Sequence, residues 1–348
     1  MRENAKRLIL PIAMATLLVA LIASMIIFRE KRETVNEVTL YGYFDTYVTI
    51  YDYTGGSKAD FDASVALVDE ALGKYNALFD IYDDAEDLVG IYEINASAGV
   101  APVTVSEELI DFLEFSKEVH TITRGEVNVA MGAVLSLWHD AREAANKDPE
   151  SAALPDTEAL AHAAEHCDIS SLVIDREAMT AYLSDPLSSL DVGAVAKGYA
   201  EERIAELLAA RGCSGYLLDF GGNLRAIGEK PSGEGWTTGV ENPSGTPAYS
   251  AIFGIKDTAV STSGVYARYF VADGVRYHHI IDKDTLYPVN TFASVTAVVS
   301  DAGMADALST ALFCMSLADG QALISGIDGA RAVWVYPNGE VVKTENIK

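Results

Sequence analysis

The stretch Asp191-Val-Gly-Ala-Val-Ala-Lys-Gly-Tyr-Ala200 constrains this chain more than any other. A carboxylate opens it, small residues follow, and Lys197 sits just inside what reads as a helix from Ala196 to Arg211, with Gly212 as its stop. Small residues let backbone amides approach a ligand closely, and a helix N-terminus favours phosphate. Any tight strand-to-helix turn has a similar look, so the segment needs company. Three later segments supply it: Asp219-Phe-Gly-Gly-Asn223, then Thr262-Ser-Gly-Val-Tyr266 with His279-Ile-Ile-Asp-Lys-Asp-Thr285, then Ala305-Asp-Ala-Leu-Ser-Thr310.

The N-terminus imposes a second constraint. Leu8 to Phe28 is a 21-residue run without a charge. At about 1.5 Å per residue it is long enough to span a bilayer core of roughly 30 Å. Arg2, Lys6 and Arg7 precede it, and Arg29, Lys31 and Arg32 follow it. The flanks are balanced, so charge does not set the orientation. The expectation is one N-terminal transmembrane helix acting as a single-pass anchor at the cell membrane, with the rest extracytoplasmic. A cleaved signal peptide is the rival. Residues 1–37 are thus anchor and linker, and 38–348 the working domain.

The net charge is −26, and residues 1–33 hold six basic against three acidic residues, leaving −29 on the remainder. That excludes nucleic acid as a partner, since phosphates demand a basic surface. An anionic ligand would need local counter-charge, most simply a metal ion. Cys167, Cys213 and Cys314 are scattered and form no disulfide framework.

Periodicity predicts a strand over 38–53 and a helix over 59–79, where Val65, Leu67, Val68, Leu72, Tyr75 and Leu78 recur at helical spacing. Residues 82–99 read as irregular. Helices follow at 106–121, with Ser106 as N-cap, at 131–145 and at 156–165. From Ser170 the texture changes to short strands, at 172–175, 180–183, 215–219, 224–228, 236–241, 250–255, 258–263, 276–281, 294–299 and 332–336. They are interrupted by helices at 196–211, 304–315 and 321–327. The class is α+β with mostly antiparallel strands.

Some residues carry chemistry by type and spacing. Asp306 and Thr310 are four apart and share a helical face. A carboxylate and a hydroxyl are hard oxygen donors suited to Mg²⁺, although a helix with Thr310 bonded to its preceding turn has the same spacing. Lys197 either neutralises a pyrophosphate or pairs with Asp191. His278 and His279 are strand neighbours and face opposite sides, so only one can enter a shared cleft. Gly221-Gly222 permits a tight turn but is no Rossmann fingerprint. Thr262-Ser263-Gly264 reads as a hydroxyl-rich turn able to bond phosphate. Phe79, Tyr82 and Trp138 could stack on a flat ring or belong to the core.

The four segments, in this order, resemble the FAD:protein FMN transferases, the ApbE family. The resemblance runs from about Thr39 to Tyr336. It implies a two-lobed α+β domain related to the T-fold, with FAD between the lobes. It also implies a Mg²⁺ site of Asp306, Thr310 and the carbonyl of Ala194. Asp191 would lie near the adenosine end of FAD and Lys197 near the phosphates, and Gly222 and Thr262 would frame the cleft. His279 matches the histidine of the family pattern His-x-x-x-Pro-x-Thr-Gly and would take a proton from an acceptor hydroxyl. Phe44, Asn95 and the Glu126-Val127-Asn128 segment align with N-terminal elements near the flavin. The chain departs from the pattern at Lys283 for proline, Leu286 for glycine and Asn128 for aspartate, which puts the shape of the loop after His279 in question. The implied reaction moves FMN from FAD to a Thr or Ser hydroxyl of a partner protein, typically a redox subunit, and releases AMP. FAD hydrolysis to FMN and AMP, a non-catalytic flavin-binding surface protein, and a domain without ligand are the alternatives. No acceptor motif occurs in this chain, so self-flavinylation is not expected.

Overall fold

A computed structural model describes residues 35–345 and 347, apart from 86, 87, 244 and 267. The apolar run Leu8 to Phe28 lies outside the described residues. Among those described, no helix is long and apolar enough to cross a membrane.

The chain opens with a hairpin of β1 (Asn36–Tyr43) and β2 (Thr46–Asp52). A single strand is expected here, but Phe44 and Asp45 adopt φ of 51° and 53°, so the chain turns back on itself. Two positive-φ residues between paired Tyr43 and Thr46 make the turn that best matches strand twist. Helix α1 (Lys58–Phe79) follows, then α2 (Ile91–Ala96) inside the segment expected to be irregular. After β3 (Val103–Thr104) comes α3 (Glu107–Ile122), whose N-cap Ser106 accepts from the amide of Leu109. Helices α4 (Gly132–Lys147) and α5 (Thr157–Ala164) lead to the hairpin β4 (Leu172–Asp175) and β5 (Thr180–Leu183).

The second half begins with α6 (Ala196–Ala210), then β6 (Tyr216–Phe220), β7 (Asn223–Ile227), β8 (Trp236–Glu241), β9 (Tyr249–Ile255) and β10 (Ala259–Gly264). Next come β11 (Tyr269–Ala272), β12 (Val275–His278) and β13 (Ser294–Val299). Helices α7 (Ala302–Cys314) and α8 (Leu317–Ser325) precede β14 (Arg331–Val335) and β15 (Val341–Lys343).

Eight strands form one sheet in the order β1-β2-β6-β7-β10-β13-β14-β15, and every pairing between neighbouring strands is antiparallel. Strand β13 is buried at all six positions because both faces are covered. Val295, Ala297 and Val299 pack with α7, while Val298 packs with the β8–β9 hairpin. A separate apolar cluster gathers Met131, the N-cap of α4, and Val134 and Trp138 within it with Phe270 and Ile281. Ile280 and Ile281 enter different clusters, the first that of α7 and the second that of Trp138. The residue just before them, His279, therefore stands at the seam between two packed bodies.

Helices α6 and α7 lie side by side on the sheet, and Gly198 is their closest approach. A Cβ there would stand 2.4 Å from both the Ala302 carbonyl oxygen and Asp306 Cβ. Gly73 of α1 has nothing within 4 Å of an added Cβ. Overpacking costs about 1–3 kcal/mol, and relief of a mid-helix glycine returns about 1 kcal/mol. Gly198→Ala is expected to lower Tm in thermal melts, and Gly73→Ala to raise it. A raised Tm for Gly198→Ala would contradict the close helix contact.

Candidate active site

The Asp306 carboxylate is the centre of the site. It is buried on α7 and gathers donors from three other elements. Its Oδ1 accepts from Asn223 Nδ2 on β7 (2.9 Å), Ser261 Oγ on β10 (3.0 Å) and Lys197 Nζ on α6 (3.3 Å). Its Oδ2 accepts from the amide of Gly198 (2.9 Å). Gly198 is the third residue of α6, so its amide is one of the first-turn donors that find no acceptor within the helix, and Asp306 supplies that acceptor. Ala194 lies just before the helix, in the small-residue loop. Asp306 thus binds both helices to the sheet and keeps its negative charge compensated.

Strand alternation decides which hydroxyls join. Ser261 and Ser263 point toward α7, where Ser263 Oγ lies 3.1 Å from Thr310 Oγ1. Thr262 points to the other face and pairs with Thr296 on β13 (2.8 Å). The segment 259–264 is a strand rather than a turn, so Thr262 is on the wrong side of the sheet to join Asp306. Ser261 and Ser263 are the residues that sequence reasoning missed, and period-2 alternation from buried Val260 was the available signal. Thr310 also sits 3.4 Å from the Asp306 carbonyl, the back-bond that its spacing allowed.

Asp191 opens the loop and holds Gly193 by its amide (2.9 Å). It is half-buried, and loss of solvation pushes its carboxyl above the usual range. The loop is pinned from behind. Asn95 on α2 donates to the Leu190 carbonyl (3.0 Å) and accepts from the Leu190 amide (2.7 Å), which occupies its side chain. Asn128 is equally occupied, donating to the Cys167 carbonyl (2.8 Å) and accepting from Ala130 (3.0 Å). A carboxylate could not make the first of these bonds, which gives a physical reason for asparagine here. Val127 is buried, and Glu126 lies 3.5 Å from Lys283 Nζ. Gly222 closes the β6–β7 hairpin at φ 98°, its amide on Asp219 Oδ1 (2.8 Å).

The two histidines divide as strand geometry requires. His278 is buried, with Nε2 on the Val289 carbonyl (2.6 Å) and Nδ1 accepting from Ile280 (3.2 Å). His279 is exposed at its edge. Burial by the surrounding protein, then Arg268, His278 and Arg142, push its imidazole down to about 4.

Arg268 and Arg142 also act on Asp191, and Arg268 lies 3.5 Å from Asp45 in the first hairpin turn, next to Phe44. His139 accepts from Arg142 (3.0 Å) or Tyr82 (3.1 Å), and its ring lies 5.0 Å from that of Tyr82. Five separated segments therefore share one electrostatic environment: 44–45, 82, 139–142, 191 and 268–279. Tyr82 is 59% exposed, whereas Trp138 and Phe79 are core residues. Trp138 donates to the Leu286 carbonyl (2.9 Å), and Leu286 itself holds φ 63°. That is the region glycine favours and a Cβ disfavours, so the loop keeps a glycine-type turn with leucine held in it at a steric cost. Asp282 organises the rest of the loop by accepting from Thr285 (2.6 Å) and Asp284 (3.1 Å).

A buried antiparallel sheet backed by a helix pair, with a carboxylate hub beneath a small-residue loop, defines the class. The chain belongs to the ApbE family, whose model matches residues 40–334. Its relatives include the FAD:protein FMN transferase of Treponema pallidum (strain Nichols), 35% identical over 263 residues and 71% of each chain. Another is the FAD:protein FMN transferase of Klebsiella pneumoniae (strain 342), 30% identical over 79% of this chain and 85% of that one. The crystal structure of the ApbE protein from Thermotoga maritima has a TM-score of 0.78 at 29% identity, covering 90% of this chain and 97% of that one. The flavin transferase ApbE from Vibrio cholerae has a TM-score of 0.74 at 25% identity, covering 89% and 97%.

One carboxyl near the hub has no established task. Glu201 is buried on α6, and its Oε1 has no hydrogen-bond partner. Burial holds its carboxyl well above the usual range; Lys197 opposes this, and Asp306, Asp219 and Glu202 reinforce it. The folded state keeps a proton that the unfolded chain releases near 4.5. The contribution of Glu201 to stability is therefore fully present below that pH and is lost as pH rises through the raised folded value. Glu201→Gln is expected to flatten that decline in Tm measured from about pH 5 to about pH 9. Parallel curves for the two proteins would show that Glu201 is not the group responsible.

Proposed function

We propose that this protein transfers FMN from FAD to a Ser or Thr hydroxyl of a partner protein, releasing AMP, with Mg²⁺ as its metal. The Asp306 hub beside the small-residue loop that holds Ala194 carries this reading, in a family whose relatives are named for such transfer. Asp306, Thr310 and the Ala194 carbonyl are all hard oxygen donors, the set Mg²⁺ takes while keeping open positions. Lys197 already lies on Asp306, as a cation-ready carboxylate would have it. Bound Mg²⁺ supplies neutralisation of the pyrophosphate and of charge developing on the leaving oxygen.

The side chains supply the rest. Lys197 reaches the phosphates from the first turn of α6, and Asp191 takes the adenosine end beside the 193–195 turn. Arg142 and Arg268 counter the charge of the dinucleotide in a strongly acidic chain, while Phe44 and Tyr82 lie along the flavin. The acceptor oxygen attacks the FMN-side phosphorus as the bond to AMP breaks, and the hydroxyl proton passes to His279. His279 is neutral at neutral pH and so has a lone pair to accept it. We place the domain outside the cytoplasm, held by the 8–28 segment, where a membrane-associated redox subunit would be the acceptor.

The test is mass spectrometry of an acceptor peptide incubated with the full chain, FAD and Mg²⁺. A gain of one FMN, abolished by chelation, is expected. FMN and AMP without peptide labelling would instead indicate a hydrolase, and intact FAD a binding protein. His279→Ala is expected to slow transfer by about 10²–10⁴-fold. For wild type, kcat/KM should be level at neutral pH and fall as pH drops toward 4, where the free enzyme's His279 takes up its proton. A profile that breaks near 6.5 or is unchanged in His279→Ala would remove His279 from the proton transfer.

A further inference from the structure

His162, Glu165 and His166 lie at the C-terminal end of α5, away from the Asp306 hub. One ligand atom from each lies within 4.8 Å of the others. The i, i+3, i+4 spacing puts all three on one face as the helix ends. The two imidazoles are adjacent, with ring centroids 5.2 Å apart. Two further observations point to an occupant. His166 Nδ1 lies 2.7 Å from Asp185 Oδ2. A carboxylate on one ring nitrogen fixes the tautomer that leaves the other with its lone pair, the outer arrangement typical of metal-ligating histidines. That other atom, His166 Nε2, is shielded and has no hydrogen-bond partner in the protein.

We propose that His162, Glu165 and His166 form a transition-metal site, suited to Zn²⁺, with Asp185 as the outer carboxylate that orients His166. Two imidazoles and a carboxylate are the donors that borderline divalent ions prefer, and they leave one position for water. This distinguishes the site from the all-oxygen set at Asp306. The negative end of the helix dipole adds to the attraction, as does the acidic chain as a whole. The bound ion would tie the end of α5 to the loop carrying Asp185. His166 is next in sequence to Cys167, whose carbonyl holds Asn128.

The proposal is tested by competition of the metal-free full chain against a chromophoric chelator for Zn²⁺, in excess Mg²⁺ and without FAD. One Zn²⁺ per chain is expected, with a rise in Tm by mass action. His162 is exposed, so His162→Ala should fold normally while losing affinity by more than ~100-fold, beyond the ~10–100-fold expected of an outer partner. Asp185→Asn should fall within that outer range. Cu²⁺ as a probe should show nitrogen coupling in its electron paramagnetic resonance spectrum, lost in His162→Ala. Unchanged Zn²⁺ stoichiometry and affinity in His162→Ala would overturn the site. Because FAD is absent, the outcome is independent of the transferase reading.

Discussion

A buried carboxylate must be paired or it destabilises the fold, and Asp306 meets that requirement in a way that shapes its surroundings. Its partners come from α6, β7 and β10, so satisfying one charge sets the relative position of three elements and the helix that carries it. Drawing the Gly198 amide to Asp306 requires that α6 and α7 nearly touch, which only glycine permits. A second buried pair supports the same helices: Arg225 on β7 holds Glu202 through two bonds (2.8 and 3.0 Å), and Glu202 accepts from the first amide of α7 at Ala302 (2.7 Å). Removing one partner from such a pair typically costs about 3–5 kcal/mol. The geometry of the hub and the stability of the helix pair are thus one property.

Charge placement follows a related rule. The chain carries −26, yet Lys197, Arg142, Arg268 and Lys283 stand close to the segments that the family resemblance singles out. A bound metal ion would therefore be one of several local counter-charges rather than the only one the sequence affords. Two arginines near His279 and the protein around it disfavour its protonation, which keeps an acceptor lone pair available in neutral solution.

Local patterns in the sequence were read well where the chain's own neighbours decide structure. Ser106 caps its helix, Gly212 turns at φ 85° after α6, and Gly221-Gly222 makes the β6–β7 turn. The failures have physical causes. Residues 38–53 looked like one strand because Phe44 and Asp45, neither a glycine, make the turn. Strands β11 and β15 are only four and three residues long, too short for alternation to show. Asn95 meets a partner 95 residues away, and such spending of an amide on distant backbone leaves no local trace. Arg142 and Arg268 reach the same environment from distant parts of the chain, so neither stood out. Residues 262–264 read as a turn but continue β10, where alternation puts Ser261 and Ser263 on one face and Thr262 on the other.

The central claim is that the Asp306 carboxylate organises the helix pair and offers its charge to a divalent cation. Calorimetric titration of Mg²⁺ into the FAD-bound full chain, wild type against Asp306→Asn, tests it most directly. Asparagine keeps the shape and one oxygen acceptor but loses the charge, so the account predicts a folded variant, somewhat less stable, in which the Mg²⁺ heat is lost. Equal Mg²⁺ affinity in the two proteins, with the fold intact, would contradict it.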